Sequence, residues 1–262
     1  MKKLLWILLL SLSMPAAAMA QSAFDGTWKI ELNNAQLPTK PDVYLLQDGM
    51  YSCKTCVPAY EVKADGQDHA VAGDPYWDTI SITVVDDHTT DITEKKDGKI
   101  VLTAKVTVSP DGDTLDGEYT DSSDTNSSPV TGKGEATRVE KGPAGSSAIS
   151  GSWQTTKMQS VSDNGLLFTY KVEGDSATMT TPTGQSYTAK LDGTDAPYMG
   201  DPGTTSVSVK RMGDNTIEET DKRDGKVIDV SRMTVSADGK TMTIENTDVL
   251  HGTTSQFTAE KQ

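Results

Sequence analysis

The sequence is poor in several residue types that common functional sites require. It has two cysteines, three histidines and three phenylalanines, and aromatic residues make up only 6% of its 262 positions. With one Cys pair and three scattered histidines, the sequence argues against a zinc site. Positive charge is also scarce, because 24 lysines and arginines stand against 38 acidic residues, a formal net charge of −14. This excess of negative charge argues against binding to nucleic acid or to an anionic membrane surface.

A long apolar run occurs only at the N-terminus, where residues 1–20 have the pattern of a secretory signal peptide. Lys2 and Lys3 precede an apolar stretch at 4–14, and a small-x-small triplet suited to signal peptidase ends at Ala20. The stretch is shorter than the about 20 residues of a membrane-spanning helix, which favours cleavage over a retained anchor. We therefore expect a periplasmic or secreted protein, whose charge changes from −14 to −16 when the two lysines are removed.

The chain contains two copies of one sequence module. Residues 60–121 align with 187–248 without a gap, and about 25 of the 62 aligned pairs are identical, far more than chance would give. Upstream of these blocks, a Gly-x-Trp triplet opens each copy. We predict domains at 22–140 and 149–262, joined by a linker at 141–148 that is rich in glycine and serine.

Within each copy, apolar and polar residues alternate with a period of two, as at 100–108. This alternation is typical of antiparallel strands with one face toward a core. Asp-Gly pairs, which favour tight hairpin turns, separate the alternating segments. They lie at 65–66, 97–98, 111–112, 192–193, 224–225 and 238–239. With roughly eight or nine short strands per copy, we predict an all-β protein of two tandem antiparallel up-and-down β-barrels, with two β-sandwiches as the alternative.

The triplets that end at Trp28 and Trp153 resemble the Gly-x-Trp that opens the first strand of lipocalins and related calycin barrels. In that family the tryptophan closes one end of the barrel, and a basic side chain from near the last strand lies over its ring. The resemblance therefore assigns Trp28 and Trp153 to the closed ends, and Arg138 and Lys261, late in each copy, to the covering positions. Asp-Gly-Lys and Ser-x-Asp-Gly-x-Thr phrases, the latter at 236–241, resemble those of tandem-repeat bacterial envelope proteins without an assigned activity, which agrees with export.

Cys53 and Cys56 occur in the first copy only, and in an exported protein such a close pair predicts a disulfide that staples a turn. A redox pair is the alternative. Thiol-disulfide enzymes, however, place Cys-x-x-Cys at a helix N-terminus, and the flanking sequence here has the pattern of strand and turn. His69, His88 and His251 share no motif spacing with a serine or a carboxylate. We therefore predict no metal site, no cofactor and no catalytic residue.

The leading functional prediction is a non-enzymatic binding or interaction protein, whose ligand would be a small apolar molecule inside a barrel. Tyr76 and Trp77 are candidates for the ligand rim, because the second copy has Gly203 and Thr204 in their place. One alternative is an inhibitor of an extracellular enzyme, which would present the proline-containing segment 35–42 to that extracytoplasmic protein. The other is a thiol-redox protein that uses the cysteine pair. No membrane insertion is expected after signal cleavage.

Overall fold

The computed structural model describes residues 22–123 and 128–262. The predicted signal peptide at 1–20 lies outside the described residues. Within the described part the chain forms twenty β-strands and one short 3₁₀ helix. No helix in these two ranges is long and apolar enough to cross a membrane.

The first ten strands precede residue 142. They are β1 Gly26–Gln36, β2 Asp42–Gln47, β3 Met50–Cys53, β4 Tyr60–Lys63, β5 His69–Ala70, β6 Thr79–Val84, β7 Thr89–Lys96, β8 Lys99–Val108, β9 Thr114–Asp121 and β10 Val130–Lys141. The remaining ten follow, with the 3₁₀ helix at Asp163–Gly165 between the first two of them. They are β11 Gly151–Val161, β12 Leu167–Glu173, β13 Ser176–Thr180, β14 Ser186–Lys190, β15 Asp192–Pro197, β16 Ser206–Arg211, β17 Thr216–Arg223, β18 Lys226–Val235, β19 Thr241–Asp248 and β20 Thr253–Lys261.

Two of the predicted Asp-Gly hairpins show how the sequence directs the strand turns. Asp97 and Gly98 connect β7 to β8 with φ angles of 49° and 75°. Asp224 and Gly225 repeat this turn between β17 and β18 with φ angles of 51° and 77°. Positive φ at both central residues gives a turn whose twist matches that of the flanking strands. The hairpin prediction is confirmed at both sites.

The strands form two antiparallel sheets of ten strands, each curled into a nearly closed barrel. The first sheet has the order β4-β3-β2-β11-β10-β9-β8-β7-β6-β5, and the second has the order β14-β13-β12-β1-β20-β19-β18-β17-β16-β15. Each barrel is open at one seam, between β4 and β5 or between β14 and β15. The predicted pair of up-and-down barrels is confirmed in preference to two sandwiches. Each barrel has ten strands rather than the eight or nine expected.

The first strand of each copy belongs to the barrel of the other copy. Strand β1 pairs with β12 and β20, whereas β11 pairs with β2 and β10. The first barrel is therefore the continuous segment 42–161, and the second combines 26–36 with 167–261. The predicted boundaries at 22–140 and 149–262 describe the copies in the sequence, but they differ from those of the barrels by one exchanged strand.

The chain crosses between the barrels at 37–41, after β1, and at 162–166, after β11. The predicted linker at 141–148 instead connects β10 to β11 within the first barrel. Its first glycine, Gly142, donates its backbone N–H to the carbonyl oxygen of Ser150 at 3.1 Å. The glycine- and serine-rich composition thus belongs to a packed turn and not to a joint between domains.

Two prolines disfavour a hairpin between β1 and β2. In the first barrel, β11 pairs with β2 in a register that places Gly151 opposite Tyr44. If β1 occupied that position in the same register, Pro38 and Pro41 would lie in the strand opposite it. Proline has no backbone N–H to donate and is disfavoured inside a sheet. The crossing at 37–41 therefore favours the exchanged arrangement.

Each barrel is filled by its own hydrophobic core, and each core needs residues from both copies. The largest fully buried side chains of the first barrel are Trp153, Tyr51, Ile80, Ile82 and Val108. Those of the second include Trp28, Phe24, Ile217, Met242 and Val207. Because apolar burial is worth about 25 cal/mol per Å², Trp28 from the first copy contributes to the stability of the second barrel.

Candidate binding site

Trp153 lies near the start of β11 and is 1% exposed. Its indole Nε1 donates a hydrogen bond to the carbonyl oxygen of Ile149 at 2.8 Å, so the buried polar group is satisfied. The guanidinium carbon of Arg138 lies 3.9 Å from the centre of the indole ring. Arg138 also donates to three backbone carbonyl oxygens, which hold the guanidinium over the ring.

The second barrel repeats this arrangement around Trp28, which is fully buried. Its Nε1 donates to the carbonyl oxygen of Phe24 at 2.9 Å, and Lys261 Nζ lies 4.8 Å from the ring centre. A cation over an indole contributes about 0.5–2 kcal/mol, depending on burial. The structure thus brings the four predicted residues together in exchanged pairs: Arg138 covers the tryptophan of the second copy, and Lys261 covers that of the first.

The glycine of each Gly-x-Trp triplet makes room for the covering cation. Gly151 has a φ of 137°, and a Cβ there would lie 2.3 Å from the Glu140 carbonyl oxygen and 2.8 Å from Arg138 Nη1. Gly26 has a φ of 131°, and its Cβ would lie 3.3 Å from the Lys261 side chain. Any larger residue would be strained and would push the basic group away from the indole.

An open apolar pocket of about 380 Å³ lies in the first barrel against β9, β10 and β11. This volume is near the lower end of the range of about 300–1,000 Å³ that is usual for small-molecule sites. Its apolar walls include Leu115, Tyr119, Ala136, Met158 and Val161. Leu115 and Ala136 pack within the core of this barrel. Because side chains alternate between the two faces of a strand, these walls belong to the inner face of the sheet.

Two glycines create space in this pocket. Gly117 and Gly134 lie opposite each other on β9 and β10, each two residues from Leu115 or Ala136 and therefore on the same face. A Cβ at Gly117 would meet no atom within 4 Å, and at Gly134 the nearest atom, the Lys157 carbonyl oxygen, would be 3.4 Å away. Neither glycine has a positive φ, so the backbone does not require glycine at these positions.

The second barrel carries large side chains at the equivalent positions. Ile244 and Phe257 lie opposite each other on β19 and β20, just as Gly117 and Gly134 do on β9 and β10. Ile244 packs against the core of the second barrel. Sequence reasoning missed this contrast, although the gap-free alignment places Gly117 directly against Ile244.

The crossing after β1 forms another wall of the pocket, through Leu37 and Pro38. Both residues are half-buried, whereas Thr39 and Lys40 are exposed. The segment at 35–42, which the inhibitor alternative would present to a target enzyme, therefore turns its apolar residues toward a pocket of this protein.

Tyr76 and Trp77, the predicted rim residues, do not line the apolar pocket. Trp77 is 7% exposed and packs edge-on against Tyr60, with 5.5 Å between the ring centres. The hydroxyl of Tyr76 donates to Asp201 Oδ1 of the second barrel at 2.9 Å. Both residues line a separate open pocket of about 320 Å³ that also contains Glu94. The structure thus places them at a contact between the barrels.

Each barrel carries a partly buried carboxyl group at the same aligned position. Burial raises the pKa of Glu94 to about 7, and the carboxylates of Asp74 and Asp121 add to this shift. Burial raises the pKa of Asp221 to about 8, with further contributions from neighbouring carboxylates. Among the described residues, Asp221 Oδ1 has no hydrogen-bond partner. Both groups therefore hold a proton up to near-neutral pH.

A third carboxyl group, Glu219, lies inside the second barrel and is 8% exposed. Its Oε2 accepts hydrogen bonds from the hydroxyls of Tyr170, at 2.7 Å, and of Tyr187. Burial raises the pKa of Glu219, and the two hydroxyls oppose this shift. Ile92 occupies the aligned position in the first copy. The satisfied contacts within the core are those expected of a structural polar network.

Cys53 and Cys56 form the predicted disulfide, with 5.5 Å between their Cα atoms. Cys53 is 1% exposed and ends strand β3, and the residues that follow form bends and not a helix. The helix N-terminus that lowers the thiol pKa in thiol-redox enzymes is therefore missing from this pair.

The three histidines each contact one acceptor group. His69 and His251 bind the carboxylates of Asp65 and Asp248 at 2.8 and 2.6 Å, and His88 binds a backbone carbonyl oxygen. In the described ranges, no group of three or more His, Cys, Asp or Glu residues is arranged to hold a metal ion.

No protein-family model matches the chain, and a comparison with curated proteins finds no match. The resemblance of the Gly-x-Trp triplets to those of calycin barrels therefore stays a prediction.

Proposed function

We propose that this chain is an exported, non-enzymatic binding protein that holds one small apolar molecule in the pocket of the first barrel. One observation carries the proposal. The paired glycines Gly117 and Gly134 line a pocket in one barrel, at strand positions where the other barrel carries the side chains of Ile244 and Phe257.

The walls of the pocket favour an apolar ligand. Leucine, valine, methionine and tyrosine side chains line the space, with Glu118, Lys133, Glu135 and Lys157 also in its lining. Burial of apolar surface stabilises a complex by about 25 cal/mol per Å². A ligand that buries about 200 Å² would gain about 5 kcal/mol before the cost of association is subtracted. We therefore expect moderate affinity for molecules the size of one or two aromatic rings.

Titration with N-phenyl-naphthylamine, an uncharged apolar fluorophore, tests the proposal directly. The mature protein should increase its fluorescence with a saturable, single-site dependence. Gly117→Ile and Gly134→Phe introduce the residues of the second barrel and should each weaken binding by at least about tenfold, a loss of about 1.4 kcal/mol. Both positions accept a Cβ, so the variants should fold.

Thr103→Ile provides the matched control, because Thr103 is exposed on the neighbouring strand β8 and points away from the core. It adds the same kind of side chain outside the pocket and should leave the affinity unchanged. Wild-type protein that fails to bind the fluorophore, or glycine variants that bind it as tightly as wild type, would contradict the proposal. Native mass spectrometry of protein from its own host would identify a retained molecule.

A further inference from the structure

A second pocket of about 250 Å³ lies between the barrels and adjoins the apolar pocket. Pro38 and Thr155 line both pockets. The remaining walls come from both barrels, since Asp42 begins β2 of the first and His251 follows β19 of the second. The two pockets thus share part of their walls at Pro38 and Thr155.

The second pocket differs from the first in its chemistry, because charged and hydroxyl groups line it. Lys40 Nζ donates to the backbone carbonyl oxygen of His251 at 2.6 Å. His251 Nδ1 lies 2.6 Å from Asp248 Oδ2, and the backbone N–H of His251 donates to the other oxygen of that carboxylate. Asp42 Oδ1 accepts a hydrogen bond from the Thr55 hydroxyl at 3.1 Å.

Lys40 and Asp42 bring one positive and one negative charge to this pocket, and the two are not paired with each other. Within 22–123 and 128–262, neither Lys40 nor Asp42 takes part in an ion pair. An anionic group placed here would meet the carboxylate of Asp42, and a cationic group would meet the ammonium of Lys40. Hydroxyl groups suit both residues, because a hydroxyl donates to a carboxylate and accepts from an ammonium.

We propose that the ligand is an amphiphile whose apolar part fills the first barrel and whose uncharged, hydroxylated head lies between the barrels, against Lys40, Asp42 and the Asp248–His251 pair. This inference rests on the proposed function and specifies its ligand class. It also gives the second barrel a role in recognition, because that barrel supplies His251 and Asp248.

Three probes with the same ten-carbon chain test the head group: decanoylglycerol, decanoate and decyltrimethylammonium. Displacement of N-phenyl-naphthylamine from the mature protein should show decanoylglycerol binding at least about tenfold more tightly than either charged probe. His251→Ala and Lys40→Met should each weaken decanoylglycerol by about threefold to tenfold, the loss of one hydrogen bond. Neither should change the affinity for the fluorophore. His69→Ala is the control, since it removes a similar His–Asp contact outside both pockets.

The outcomes separate this inference from the proposed function. Equal affinity for the three probes, or head-pocket variants that leave decanoylglycerol binding unchanged, would overturn the inference while the fluorophore still bound. Equal weakening of decanoylglycerol and the fluorophore would overturn it as well, because the variants would then act on the protein as a whole. Failure of wild-type protein to bind the fluorophore would overturn the proposed function first.

Discussion

Arg138 lies over the indole of Trp153, 3.9 Å from its centre, although the two residues belong to different copies of the repeated module. The partner that the repeat would give to Arg138 is Trp28, and Trp28 is covered by Lys261. The exchange of β1 and β11 between the barrels therefore places a stabilising contact across the repeat boundary.

Double-mutant cycles should detect this exchange in solution. We expect Arg138→Met and Trp153→Leu to show a coupling free energy of about 1 kcal/mol in urea unfolding, because each removes one side of the same cation–π contact. The effects of Arg138→Met and Trp28→Leu on the free energy of unfolding should be additive. Coupling of Arg138 to Trp28 in place of Trp153 would contradict the exchanged topology.

Gly151→Ala should reduce the free energy of unfolding by at least about 2 kcal/mol, because it combines an unfavourable φ with a clash against a backbone oxygen. The relevant values are a φ of 137° and a Cβ–oxygen distance of 2.3 Å. Gly117→Ala is the matched control, since its Cβ would meet no atom within 4 Å. Equal urea midpoints for the two variants would show that Gly151 is not needed for packing of the cation.

Stability should fall as the pH rises from about 4 to 8. Burial raises the pKa of Glu94 to about 7 and that of Asp221 to about 8, whereas carboxyl groups in the unfolded chain have pKa values of about 4. The folded protein therefore binds more protons in this window, and the contribution is complete below pH 4 and lost above pH 8.

The variant Asp221→Asn should remove part of this dependence. It should be more stable than wild type at pH 8 by about 1–3 kcal/mol and nearly equal to it at pH 4, as measured by urea unfolding at each pH. Asp91→Asn, at an exposed position on β7, should leave the pH profile unchanged. Parallel profiles for wild type and Asp221→Asn would show that Asp221 ionises normally in the folded protein.

The segment 42–161 should fold on its own, because it contains all ten strands of the first barrel. The fragment 22–140, which follows the repeat, lacks β11 and must use β1, with its prolines at 38 and 41, to close the barrel. We expect 42–161 to unfold cooperatively at a higher urea concentration than 22–140, with blue-shifted emission from a buried Trp153. A more stable 22–140 would indicate that each copy closes its own barrel.

Sequence reasoning predicted the strands and turns well because their causes are local. Alternation sets which face of a strand is buried, and Asp-Gly pairs such as Asp97-Gly98 allow the positive φ angles of a hairpin. It also identified the four residues of the two covered indoles and the Cys53–Cys56 disulfide. The assignment of Tyr76 and Trp77 to a ligand rim stays a prediction; the structure adds that Tyr76 donates a hydrogen bond to Asp201 of the other barrel.

Prediction of the apolar pocket requires both the aligned sequence copies and the strand register of the structure. The aligned copies show that the second copy has Ile244 where the first has Gly117, which carries no side chain. That Gly134 lies directly opposite Gly117, and that both face the inside of a barrel, follows only from the strand register.

The amino-acid sequence alone determined that this protein is all-β, that it is duplicated, and that a tryptophan and a cation recur in each copy. These properties depend on periodicity and composition, which neighbouring residues settle. Only the tertiary structure decided which barrel each first strand joins and which tryptophan each cation covers. Strands β1 and β11 both begin with Gly-x-Trp and fit either barrel by pattern. Which barrel each joins depends on the path of the chain after it, and at 37–41 the two prolines disfavour a return into the same sheet.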